Sequence, residues 1–344
     1  MPSEFFLSKR APPSDPTADP FREHSRTGRH ATAQLLGARI RFDSDSAQLL
    51  ALVRHAYAGL PPHRFGARVP QLRVALVRLP APVPRASRTE LPLLMPAAGA
   101  GLLVAATAGG DLMGVDAARR GALVAVSAAH LKFSYHVRYE LLEFAVYLLA
   151  ARAQGLVPLH AACVGREGSG VLLLGPSGAG KSTFMVESLA QSLEFLAEDS
   201  VLVQPRSLRA TGIANFLHLR ADSLRFVSSL ALARHIRSSP VIRRRSGARK
   251  FEVDLRRPGL RLAPAPLRLR ALVFLSPVQG RGALLRPLTP QVARARLSAE
   301  QPYAAGQAGW QQFLKRAARL PAFELRRAAH PRAAVETVAQ LLQR

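Results

Sequence analysis

The stretch Gly175-Pro-Ser-Gly-Ala-Gly180-Lys181-Ser182 sets glycines, a lysine and a hydroxyl in the order that a polyphosphate requires. Phosphate oxygens must be met by many donors without bulky side chains in the way. Glycines at 175, 178 and 180 let the backbone wrap closely over Gly175, Pro176, Ser177, Gly178, Ala179 and Gly180, so that loop N–H groups and the next helix N-terminus point at the phosphates. Lys181 brings a positive charge to the β and γ phosphates, Ser182 offers its hydroxyl to Mg²⁺, and Thr183 completes the nucleotide-binding stretch. Binding of ATP or GTP follows from this motif, but the reaction does not.

The reaction must come from neighbouring groups. Glu198-Asp199 lies 17 and 18 residues after Lys181, at the end of an apolar segment that a strand–helix–strand unit returns to the side of the loop. In phosphoryl transfer one carboxylate can hold Mg²⁺ and another can take the proton of the attacking hydroxyl. His160 lies 15 residues before Gly175, at the start of the preceding strand, where it can orient or polarise one of those carboxylates.

These groups need a strand before the loop and a helix after it. Gly170 to Leu174 is a short apolar run that predicts a buried strand, and Ser182 to Gln191 carries a helical pattern. Leu159 to Val164 reads as the strand before, Leu193 to Leu196 as the strand that delivers the acidic pair, and Val201 to Val203 and Leu267 to Leu275 as further strands. Trp310 to Leu320 and Ala333 to Leu342 read as helices. Tyr135 to Ala153 predicts an amphipathic helix leading into this core. From Leu35 to Leu131, short apolar runs broken by turn residues, with a helix over Ala47 to Tyr57, predict a β-rich module. Residues 1 to 30, rich in Pro, Ser, Asp and Arg, read as a mobile tail. The expected division is therefore a tail over 1–30, a β-rich N-terminal module over 31–135, and a P-loop kinase-like domain with C-terminal helices over 136–344.

Three passages together resemble the core of the HPr kinase/phosphorylase family and its HPr-kinase-related proteins: Leu159-His160-Ala-Ala-Cys-Val164, Gly170 to Ser182, and Phe195-Leu-Ala-Glu-Asp199-Ser200-Val201. In that family a histidine precedes the P-loop strand and an acidic pair follows the loop at this distance. The resemblance is close over residues 138 to 205 and loose over 206 to 276. It implies an α/β fold with an HPr-kinase-like (PEP-carboxykinase-like) P-loop core beside the β-rich α+β N-terminal module. It also implies ATP and Mg²⁺ at Lys181 and Ser182, Glu198 in the place of the proton-accepting aspartate, Asp199 as the second acidic residue beside the metal, and His160 as the family's histidine. Family members form oligomers, so a homo-oligomer is expected by the same resemblance. Glu198 stands where the family has aspartate, and Thr211-Gly-Ile-Ala-Asn-Phe216 replaces its Gly- and Arg-rich signature. The likeness is thus to the divergent HPr-kinase-related branch, whose members phosphorylate varied substrates, including small peptides. The expected activity is transfer of the ATP γ-phosphate to a Ser or Thr hydroxyl of a protein or peptide, with a non-catalytic ATP-binding scaffold or an ATPase as the alternative.

Composition narrows the partners. The formal net charge is +26, yet only five of the 48 basic residues are lysines, and the arginines are spread among alanines and prolines, which argues against a nucleic-acid surface. The densest run, Arg243-Arg244-Arg245 with Arg249 and Lys250, reads either as a loop closing over phosphates or as a solvated surface. Arg220, after Phe216-Leu-His-Leu219, reads as a further residue facing the nucleotide. Cys163 is the single cysteine and the N-terminus lacks a basic-then-apolar leader, so a reducing, cytoplasmic setting is expected. Leu91 to Gly110 is long enough for a membrane span, but Pro92, Pro96 and several glycines dilute it, and it reads as buried strand and turn. An ABC-type ATPase would show an LSGGQ-like signature, which the sequence lacks. A guanylate-kinase-like enzyme would carry its loop near the chain start.

Overall fold

A computed structural model of the protein describes residues 28–79, 91–176, 178–280 and 283–343. Residues 1–27 of the expected tail and Ser177 of the loop lie outside the described residues. The architecture is mixed α/β, with two mixed sheets and a small antiparallel one.

The first sheet is built from β1 (Arg29–Leu35), β2 (Ala38–Ser44), β3 (Gln71–Leu79), β4 (Met95–Gly99), β5 (Leu102–Ala106), β6 (Leu112–Asp116) and β7 (Gly121–Ser127), in the order β1-β2-β3-β7-β6-β5-β4. β2 and β3 run parallel and are joined by α1 (Ala47–Tyr57), whose Ser46 cap accepts the Leu49 N–H. Leu49, Leu50, Val53 and Ala56 recur at helical spacing, and this face of α1 is buried against the sheet. Two expectations are corrected here. The tail read over 1–30 overlaps β1, which folds back on β2 through a two-residue turn at Leu36-Gly37 (φ +52° and +82°). The stretch read as buried strand and turn at Leu91 to Gly110 instead opens with β4, an edge strand with every residue exposed. An edge has one ladder neighbour and tolerates Pro96, which has no N–H to donate.

The next helical stretch comprises α2 (Ser134–His136), a π-helical turn (Val137–Glu143) and α3 (Phe144–Ala153). Leu141, Leu142, Ala145, Val146 and Leu149 join the core of the first sheet. The helix expected to open the P-loop domain thus packs on the upstream module. No helix among the described residues is long and apolar enough to cross a membrane.

The second sheet contains β8 (Val157–Leu159), β9 (Ala162–Arg166), β10 (Ser169–Leu174), β11 (Glu194–Ala197), β12 (Val201–Gln204) and β13 (Arg209–Gly212). β14 (Phe216–Leu219), β15 (Val241–Arg243) and β16 (Arg249–Asp254) form the small third sheet, and β17 (Leu267–Gln279), β18 (Leu285–Leu288) and β19 (Ala322–Arg327) return to the second. The second sheet runs β11-β9-β10-β17-β13-β12-β8, with β19 also on β17 and β18 on β19. Its helices are α4 (Lys181–Ala190), α5 (Leu230–Arg237), α6 (Pro290–Glu300), α7 (Pro302–Ala305), α8 (Trp310–Ala317) and α9 (Pro331–Ala339). One apolar cluster takes in α6, α7 and α8, and another takes in α4, α5 and α9, so the sheet is covered on both faces. That explains the run Val171-Leu-Leu-Leu174 in β10: a strand apolar on both sides is buried on both sides.

Candidate active site

The loop leaves the C-terminal end of β10 and enters α4 with its glycines in the left-handed region, at φ +148° for Gly175, +84° for Gly178 and +99° for Gly180. A Cβ on Gly175 would also sit 3.2 Å from the Ala179 Cβ and 3.3 Å from the Leu275 Cβ. The cradle is therefore one that side-chain-bearing residues would strain or fill. This backbone fits a nucleotide polyphosphate, and it places the N-terminus of α4 at the loop with Gly180 as its cap.

Lys181 is buried, and its ammonium turns back onto the loop, donating to the Gly175 carbonyl at 2.5 Å and the Pro176 carbonyl at 3.2 Å. Its third partner is the His160 Nε2 at 3.3 Å. Burial pushes the Lys181 pKa below its ordinary value, against the opposing pull of Asp199, Glu198 and Glu300. His160 Nδ1 lies 3.2 Å from Asp199 Oδ1, both side chains about half exposed. A neutral imidazole that accepts from Lys181 at Nε2 and donates from Nδ1 to Asp199 satisfies every partner, which assigns the tautomer.

The other carboxylate belongs to a different pair. Glu198 Oε1 accepts the Ser182 hydroxyl, and Oε2 accepts the His218 backbone N–H at 3.3 Å. The sequence reading put Ser182 and Asp199 together at the metal and gave Glu198 the proton. In the structure Ser182 is paired with Glu198 and His160 with Asp199. Thr183 sits beside Ser223, with 3.4 Å between hydroxyl oxygens. Among the described residues no group of three His, Cys, Asp or Glu side chains forms a metal cage. A Mg²⁺ held by Ser182, a carboxylate and substrate phosphates needs none.

His160 is not at the start of a continuous strand, as expected from Leu159 to Val164. It occupies the break between β8, which pairs with β12, and β9, which pairs with β10 and β11. Gln301, between α6 and α7, fills the missing ladder positions. The His160 N–H donates to its Oε1 at 2.8 Å, and its Nε2 donates to the His160 carbonyl at 3.0 Å. Sequence reasoning missed Gln301, since nothing local links it to a residue 141 positions away.

A second group backs Glu198. His218 Nε2 lies 3.2 Å from Glu252 Oε1, Glu252 pairs with the buried Arg138, and Arg138 also pairs with Glu143 inside the π-helical turn. The Arg138 guanidinium covers the Phe216 ring at 4.3 Å. Of the basic run, Arg244 lies over the Tyr139 ring at 4.4 Å and Arg245 binds Glu140, so both are anchored to the same helical stretch. Arg220 pairs with Asp222 at 3.6 Å.

No protein-family model matches the chain, and no curated protein matches it. Among solved structures it is similar to the Hpr(Ser) kinase/phosphatase from Coxiella burnetii, at 10% sequence identity and a TM-score of 0.25 over 54% of this chain and 88% of that one. The functional reading rests on the site.

Proposed function

We propose that the chain is an ATP-dependent phosphotransferase, related to HPr serine kinase, that moves the γ-phosphoryl group to a Ser or Thr hydroxyl of a protein or peptide. The observation that carries this is the contiguity of a triad and a pair at one loop, Lys181–His160–Asp199 and Ser182–Glu198. A nucleotide-binding scaffold needs the loop, but not a carboxylate tied through an imidazole to the loop lysine. Glu198, beside the Ser182 hydroxyl, fits the metal side of the site. Asp199, half exposed and oriented by His160, fits the acceptor side and takes the hydroxyl proton. In this reading the two carboxylates exchange the roles expected from the sequence. Mg²⁺, when bound with ATP, neutralises the charge of the phosphates. On binding, the Lys181 ammonium exchanges the Gly175 and Pro176 carbonyls for phosphate oxygens while His160 keeps its place.

Incubation with labelled ATP and a peptide library centred on Ser or Thr tests this directly. Label should appear on peptide hydroxyls and vanish with Lys181→Ala. ATP binding without label on any acceptor or in free phosphate would establish the scaffold reading instead.

A further inference from the structure

β17 forks at its N-terminal end. β13 pairs with it at Arg268 and Leu267, and β19 takes over only from Leu272. On the other edge Gly170 of β10 faces Leu269 and Val171 faces Ala271, so Arg270 sits at a bulge, the device by which a strand re-aims a side chain. The fork opens a cavity of about 290 Å³. Its lining takes Arg206 from the turn after β12, Arg268 and Arg270 from one face of β17, and Arg316 from the last turn of α8, with Leu269 and Leu320 behind them. No acidic residue lines it.

In a chain of net charge +26, exposed arginines alone point nowhere. These four share one recess without an acidic residue in its lining, whereas several arginines elsewhere are neutralised by a carboxylate. Arg41 and Arg73 share Asp43, and Arg138, Arg245, Arg256 and Arg296 each hold a carboxylate. Among the described residues none of the four notch guanidiniums is in an ion pair, and Arg270 donates to the Ser169 hydroxyl at 3.2 Å. Four like charges converging on a concave, apolar-backed recess repel one another and focus a positive potential there. An anion with several oxygens relieves both, and the planar guanidinium fork matches phosphate in a bidentate manner.

We infer that this notch is a second anion-binding site, for a compact polyanion with at least two phosphate-type groups. It is separate from the nucleotide loop: Arg270 reaches Ser169 at the start of β10, whereas the loop leaves the end of that strand. The recess is a notch, not a stripe along the surface, which favours a small ligand over a polymer backbone. This inference stands whether or not the chain is a kinase.

Calorimetric titration of inorganic tripolyphosphate into the Lys181→Ala chain, whose loop site is disabled, tests it. One binding event is expected. Arg268→Gln with Arg316→Gln should weaken it by about a hundredfold, each lost charge-assisted contact being worth about tenfold. Arg234→Gln with Arg237→Gln, on the exposed side of α5, should leave it unchanged. If Lys181→Ala does not fold, the unmutated chain shows two binding events and the notch substitutions must remove one. No binding at the notch, equal affinity in the notch variant, or an equal loss in the α5 variant would overturn the inference. So would tighter binding of a single-stranded oligonucleotide through the same arginines, which would make the occupant a polymer backbone.

Discussion

His160 owes its position to a side chain 141 residues away. Gln301 spends both ends of its amide on the His160 backbone and is itself buried, so it fixes the ring that joins Lys181 to Asp199. Removing it leaves the loop and Ser182 in place but lets the imidazole wander. Gln301→Ala should therefore lower kcat by about ten- to a hundredfold, the scale set by misplacing a catalytic group, while the KM for ATP changes by less than about twofold. Steady-state kinetics on variants with matched melting curves checks this, and a rise in KM with kcat intact would show that Gln301 serves only nucleotide binding. At this scale the sequence was informative where chemistry is local. Gly175 to Ser182 can be read because its glycines, lysine and hydroxyl are contiguous. That His160 takes Asp199 and Ser182 takes Glu198, and not the reverse, could not be read, because adjacent residues at a strand end diverge by side-chain direction, which spacing does not encode.

Elements were legible where one pattern governs a whole segment. α1 occupies Ala47–Tyr57, the range that its apolar spacing predicts, and β10 follows from its apolar run. The break at His160 was hidden because Leu159 to Val164 is apolar but for His160 itself and the chain changes strand neighbours without a turn residue. β14 to β16 and β18 to β19 escaped because short strands of mixed polarity carry little periodicity. The π-helical turn escaped too; its Arg138 sits between Glu143 and Glu252, partners that local sequence does not reveal. Arg138→Met should destabilise the protein by roughly 3–5 kcal/mol, because it strands two buried carboxylates. Adding Glu143→Gln and Glu252→Gln should recover much of that loss. Urea unfolding measures both, and a single-variant loss below about 1 kcal/mol would mean that the cluster is not a coupled unit.

For the whole molecule, the polar group around Glu198 joins all three layers of the chain. His218 comes from the third sheet, Ser182 from the loop helix, and Arg138 from the helix packed on the first sheet. Contacts such as His63 Nδ1 to the Thr211 hydroxyl at 2.7 Å tie the upstream module to the second sheet, so its folding supports the site. Acid should loosen that module. Asp111 is buried in it; burial alone would raise its pKa, but His130 and the Ser127 bonds outweigh this and hold it at about 2, below the ordinary 3.8. Its stabilisation, on the order of 2 kcal/mol, is present above about pH 4 and lost as pH falls towards about 2. Asp111→Asn should flatten that acid limb in urea midpoints measured across the range, and an unchanged limb would assign acid sensitivity elsewhere. The claim on which the functional reading depends is that Asp199 serves transfer and not nucleotide binding. The direct measurement is ATP affinity alongside labelled-phosphate transfer to a Ser- or Thr-centred peptide library, in the unmutated chain and in Asp199→Asn. The account predicts affinity within about threefold and transfer reduced by about a hundredfold or more, the range for loss of a general base. Transfer undiminished in Asp199→Asn would contradict it.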